Sequence, residues 1–402
     1  MQASAAEPRH EESQKKRKPR LAAIEYIRGI SMMGVIGIHV GSQYLSNPAA
    51  NPHLIALFEI FTRFSVPIFF FISAFGLFYN LDIHAPFAAR QFYLRRIKTV
   101  LIPYLVWSLF YIIHDGLLYG TGLPSPLYFG GLLFFGCAKY QLYFLVILLW
   151  FYLLMPLWIP LVRRMSLRGL AALLVFQVLF DYWSSFSVPF NTYVYGLPND
   201  SLLKPFLMYR LNYWVLHYIF IFLLGGYLAV HIEAFKRFMQ QKRTAITLLF
   251  YASMASLLGY YYSLLAAGQT PLDGINTAHQ LSPAGIFYTL MASLFFFTIF
   301  TYQRYPAALN PILHLLGKHS YFAYLVHPLF ITYLARALEH RSIIMTGGIA
   351  LTSYVTVLLL SLLAAILCRR LGNALPILSE ATIGIYPKTC LLYTSPSPRD
   401  CS

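Results

Sequence analysis

The sequence predicts an all-α integral membrane protein, a single bundle of about ten transmembrane helices with both termini in the cytoplasm. Three observations lead there. Of 402 residues, 58% are hydrophobic and only 11% are charged. A soluble domain carries roughly 25% charge, so this chain has too few charges to cover a water-exposed surface. Apolar runs long enough to span a bilayer, about 17–25 residues, recur along it. Finally, Lys and Arg sit in short clusters between those runs. The net charge of +16, from 30 Lys and Arg against 14 Asp and Glu, therefore marks cytoplasmic loops and not a nucleic-acid partner.

Residues 1–20 are polar and basic and end in KKRKPR, which reads as a disordered cytoplasmic tail. The apolar stretch behind it is longer than the core of a signal peptide and lacks a small-residue cleavage site, so it is an uncleaved first helix. Spans are expected at 24–45, 55–79, 97–115, 140–161, 167–184, 212–231, 243–264, 284–302, 319–338 and 345–368. With that count, the clusters around Arg90–Lys98, Arg163–Arg168, Lys236–Arg243, Arg304–Lys318 and Arg369–Arg370 all fall on the cytoplasmic side. The outer connections keep only Lys139, Lys204, Arg210, Arg336 and Arg341. Two of those connections, 116–139 and 185–211, are long and rich in Pro, Gly and aromatics, suited to an outer vestibule. The bundle domain is 21–372 and the C-terminal tail 373–402. From Cys390 that tail, CLLYTSPSPRDCS, is unlike the rest and reads as non-native. There is no convincing internal repeat, which weakens a transporter built on inverted halves.

The four cysteines, Cys137, Cys368, Cys390 and Cys401, form no CxxC pair, and no Cys/His cluster has ligand spacing. No metal and no disulfide framework are expected.

Chemistry is expected where ionisable residues enter the spans. The first span, IEYIRGISMMGVIGIHV, carries Arg28 and His39 eleven residues apart. Eleven residues are three turns plus about 20°, so the two side chains share a face and stand about 16 Å apart along the axis. A long anionic molecule could set its phosphates at Arg28 and its far end at His39, and an acyl-CoA has that shape. A packing histidine is the alternative. Glu25, one turn before Arg28, can pair with it, and Gly29, Ser31, Gly34 and Gly37 let a helix or ligand come close. In the second span, Glu59 and Arg63 are spaced to pair, and Pro67 can kink the helix beside them. Arg63 and His39 fall at similar depth.

These segments resemble the acyltransferase 3 family of bacterial membrane proteins. The resemblance rests on YIRGISMMGVIGIHV, on RFSVPIFFFISAF, on FYLRRIKTVLIPYLVWS and on KHSYFAYLVHPLFI, in order over about residues 20–370, with YQLYFLVILLWFYLLMP a weaker match. At Ala74 the family usually has Gly. The resemblance implies O-acyl transfer from cytoplasmic acyl-CoA, most simply acetyl-CoA, to a hydroxyl of a glycan, a lipid-linked sugar or a similar acceptor, in the inner membrane of a bacterium. It makes His39 the essential histidine and Arg63 the arginine common before the VPxFF segment; an imidazole, which titrates near neutrality, suits a general base on the acceptor hydroxyl, and Arg63 could stabilise the developing oxyanion. Arg28 and the loop residues Arg95, Arg96 and Lys98 would hold the CoA phosphates. Glu25, Glu59 and His327 are further candidates. Direct transfer and a covalent acyl-His intermediate both remain open. The rival reading is an exporter of polysaccharide or lipid-linked sugar, which gives no reason for the Arg28/His39 spacing.

Overall fold

The computed structural model describes residues 19–385. Nearly all of the basic tail, and the segment from Cys390, lie outside the described residues. Every element among the described residues is helical, with no strand.

Among the described residues, seven helices are long and apolar enough to cross a membrane: Ala22–Tyr44, Pro52–Asn80, Ala89–Leu118, Leu167–Phe186, Ile232–Ala266, Pro283–Thr301 and Gly347–Ala374. The other three expected spans are helical but differ from a simple rod. The segment expected at 140–161 is two helices, Tyr143–Leu153 and Met155–Arg164, bent by 69°. Pro156 explains the break, because it offers no N–H to the carbonyl one turn back and its ring crowds that carbonyl. The segment expected at 212–231 is a short 3-10 turn, Val215–Tyr218, followed by the helix Ile219–Val230. The segment expected at 319–338 lies inside one 31-residue helix, Asn310–His340, which carries Lys318, Arg336, Glu339 and four histidines. The basic connection expected before residue 243 is itself helical, continuous with Ile232–Ala266 through a kink at Lys242 (φ −108°, ψ 16°).

The second span is not regular either. It widens over Ala56–Ile60, loosens into turns at Phe61–Phe64, and resumes as Ser65–Asn80. Pro67 has no N–H for the Arg63 carbonyl, so the loosened turn is where Arg63 sits.

Three helices meet at the centre. Ala22–Tyr44 packs along both the Asn310–His340 helix and the second span. Lipid tails are as apolar as Leu, so helices associate here through close packing at small residues. A Cβ on Gly29 would lie 2.8 Å from Leu316 Cβ, and one on Gly34 would lie 2.0 Å from Ser65 Oγ. This contact brings His39, Arg63 and His327, each on a different helix, into one neighbourhood.

Candidate active site

His39 is the middle of the cluster. Its ring lies 4.3 Å from that of Tyr140, centroid to centroid, and 5.4 Å from that of His327, the latter within 20° of parallel. The nitrogens of His327 have separate tasks. Pro328 cannot donate to the Tyr324 carbonyl one turn earlier. That freed carbonyl instead meets His327 Nδ1 at 2.7 Å. A carbonyl only accepts, so Nδ1 carries the proton. In the neutral ring Nε2 is then a bare acceptor, and it is fully buried with no partner. The His-Pro dipeptide thus fixes a tautomer and leaves a lone pair beside His39.

Arg63 is nearly buried, with its side chain 8% exposed. Its Nη2 is 3.3 Å from Glu59 Oε2 and donates to the Ile275 carbonyl at 3.0 Å. Glu59 also accepts from Ser42 Oγ at 3.0 Å. The ion pair expected at i, i+4 therefore forms; the carboxylate and the Ile275 carbonyl aim the guanidinium, and the Ser42 hydroxyl holds the carboxylate. Its Nε remains unpartnered.

A cavity of about 100 Å³ joins His39 to Arg63, lined also by Gln141, His279, Gln280 and Tyr324 among others. Phe69, Phe144 and Tyr324 also line a second cavity of about 290 Å³, which reaches Arg28, Arg96, Lys318 and Tyr152. Arg28, Ser73, Arg96 and Tyr152 in turn line a third cavity of about 350 Å³, which extends to Arg20 and Glu25. Hollow space is thus strung from the end of the first helix that carries Arg28 to His39, three turns further on.

The expected donor residues divide along this route. Arg28 and Arg96 line it together. The Arg96 guanidinium stacks 4.8 Å from the Tyr152 ring. Arg95 lines an adjoining surface cavity of about 1040 Å³, also edged by Arg96. Lys98 is exposed and lines none of the three. Glu25 departs from expectation: it pairs with Arg20 Nη2 at 2.7 Å and with His314 Nδ1 at 3.2 Å. Arg20 stands just ahead of the helix and His314 comes from the Asn310–His340 helix, and Arg28 faces the cavities.

Several residues of the site were not predicted from the sequence. Tyr140, Gln141 and Tyr324 sit in quoted segments, yet nothing in helical periodicity singles them out. The Tyr324 hydroxyl donates to the Gln141 carbonyl and ties the start of the broken span to the His327 helix. Lys318 was visible only as a loop charge. His279 and Gln280 lie between spans, in LDGINTAHQLSP, where the one signal was a polar pair just ahead of the Ser-Pro that starts a helix.

Residues 21–370 match the family described as an acyltransferase domain, Acyl_transf_3. No curated protein and no solved structure matched the chain. With the match covering nearly the whole chain, and with several helices able to cross a membrane, the protein belongs to the acyltransferase 3 family of multi-pass membrane acyltransferases.

Proposed function

We propose that the protein moves an acetyl group from cytoplasmic acetyl-CoA to a hydroxyl of a glycan or lipid-linked sugar. In this reading it sits in the inner membrane of a bacterium, crosses it about ten times and keeps both termini in the cytoplasm. The observation that carries the reading is the string of cavities from Arg28 and Arg96 to His39. Arg at the mouth suits the CoA phosphates, because the guanidinium matches phosphate geometry. The pantetheine arm would occupy the middle cavity and bring the thioester past Phe69 and Phe144.

The acceptor hydroxyl attacks the thioester carbonyl carbon while His39 takes its proton. The carbonyl π electrons move onto oxygen, and Arg63 faces that oxyanion. When the oxyanion collapses, the C–S bond breaks and its pair leaves on sulfur. The imidazolium of His39 returns the proton to sulfur, releasing CoA thiol and the O-acetyl ester. The bare His327 Nε2 gives the His39 imidazolium an acceptor neighbour. A base of this kind contributes about 10²–10⁴-fold.

The test is incubation of the purified full chain with radiolabelled acetyl-CoA and cell-envelope fractions. Label should move to a glycan or lipid-linked fraction, with one CoA thiol released per ester formed. No transfer to any fraction by a well-folded preparation would overturn the reading.

A further inference from the structure

His279 faces the same cavity as His39 and Arg63, yet no helix carries it. It sits in the connection between the helices Pro271–Thr277 and Pro283–Thr301. Its Nδ1 accepts the Leu281 amide at 3.4 Å. A ring nitrogen that accepts an amide N–H carries no proton of its own, so a neutral ring bears its proton on Nε2. Burial, helped by the charge of Arg63, pushes this imidazole well below the ordinary histidine range. The ring is therefore a neutral donor, the reverse of His327.

The connection is held from both sides. The His279 carbonyl accepts the Ser282 amide at 3.0 Å. The Ser282 hydroxyl caps the following helix by accepting the Gly285 amide at 3.1 Å. Gly285 is required by proximity: a Cβ there would lie 2.2 Å from the His279 carbonyl oxygen. The same stretch fixes Arg63 through the Ile275 carbonyl, at 3.0 Å. One short segment thus sets both groups.

We infer that His279 is a second oxyanion donor, its Nε2–H acting beside Arg63 on the carbonyl oxygen of the acyl group. The inference rests on the acetyl-transfer reading above. Its physical basis is that Arg63 is partly spent: Glu59 offsets its charge and Ile275 takes one N–H. A neutral imidazole adds a donor without the repulsion that a second cation beside Arg63 would bring. As the oxyanion forms, Nε2–H donates to it and keeps its proton. When the C–S bond breaks, the hydrogen bond weakens again, and no atom of His279 is exchanged.

The test is steady-state transfer by the full chain in detergent or nanodiscs, following CoA thiol release from acetyl-CoA with the envelope fraction that wild type labels. His279→Leu keeps bulk and removes the donor. Its kcat should fall about 10²–10³-fold, as when one oxyanion donor is lost, while KM for acetyl-CoA stays within about threefold. His279→Gln can place an amide N–H near Nε2 and should recover at least about tenfold over Leu. A folded His279→Leu within about threefold of wild type in kcat would overturn the inference alone, and so would Leu and Gln falling equally with a raised KM. If Leu does not accumulate, Gln decides: kcat within about tenfold of wild type supports the donor role, and a loss as deep as that of His39→Ala overturns it. A wild type that transfers nothing from acetyl-CoA overturns the underlying reading, and this inference with it.

Discussion

The imidazoles of His39 and His327 lie 5.4 Å apart, centroid to centroid, and within 20° of parallel. They come from helices nearly three hundred residues apart in the chain, and Gly29 and Gly34 let those helices and the second span close on one another. Because His327 spends its Nδ1 proton on the Tyr324 carbonyl, the ring beside the proposed base is an acceptor.

His39→Ala should abolish transfer, by about 10²-fold or more, while protein levels and acetyl-CoA binding stay near wild type. His39→Gln should do no better, since an amide hydrogen-bonds but takes no proton. Transfer, expression and isothermal binding measured together check this. Normal turnover by well-expressed His39→Gln would remove His39 from the role of base.

Pro328→Ala should act through His327. The new N–H at 328 competes for the Tyr324 carbonyl and frees His327 Nδ1. A fall in kcat of about tenfold is expected, the equivalent of one neutral hydrogen bond. KM for acetyl-CoA should move less than kcat, because Pro328 itself lines none of the three cavities. A folded Pro328→Ala with kcat intact would show that the tautomer of His327 is irrelevant to turnover.

Arg28→Ala and Arg96→Ala should each raise KM for acetyl-CoA by about 10- to 100-fold, the worth of a charge-assisted hydrogen bond. Lys98→Ala should change KM less than either, because Lys98 lines none of the route. Equal effects of all three would point to a diffuse surface potential instead of a defined phosphate seat.

Gly317→Ala tests the packing that builds the site. Its Cβ would lie 2.2 Å from the Glu25 backbone oxygen, and backbone cannot swing aside as a side chain can. A loss of about 1–3 kcal/mol is expected from overpacking, read as a lower thermal midpoint in detergent. An unchanged midpoint would mean that the two helices separate more readily than their contact implies.

Sidedness has its own measurement. In a background without the native cysteines, Cys at positions 50 and 195 should react with an impermeant thiol reagent from outside, and Cys at 90 and 240 should not. Outside labelling at 90 would overturn the ten-crossing arrangement.

The sequence by itself determined the class of protein and much of the proposed donor face. Low charge and long apolar runs left no other class, because a bilayer is the solvent those runs fit. The Arg28/His39 register and the Glu59–Arg63 pair were legible because helical spacing is local geometry. Only the tertiary structure decided what closes around them. Glu25 pairs with Arg20, just ahead of the helix, and lies 3.2 Å from His314 of the Asn310–His340 helix, because side chains from outside the helix come within reach of its first turn. The bend of 69° after Leu153 came from one proline inside an unbroken apolar run, which hydropathy does not register. Lys98 looked equivalent to Arg96 in sequence, and the turn of the helix divided them. His279 was invisible for the plainest reason. Its function depends on a connection folded back by Ser282 and Gly285 onto Arg63, more than two hundred residues earlier, and no periodicity within LDGINTAHQLSP encodes that meeting.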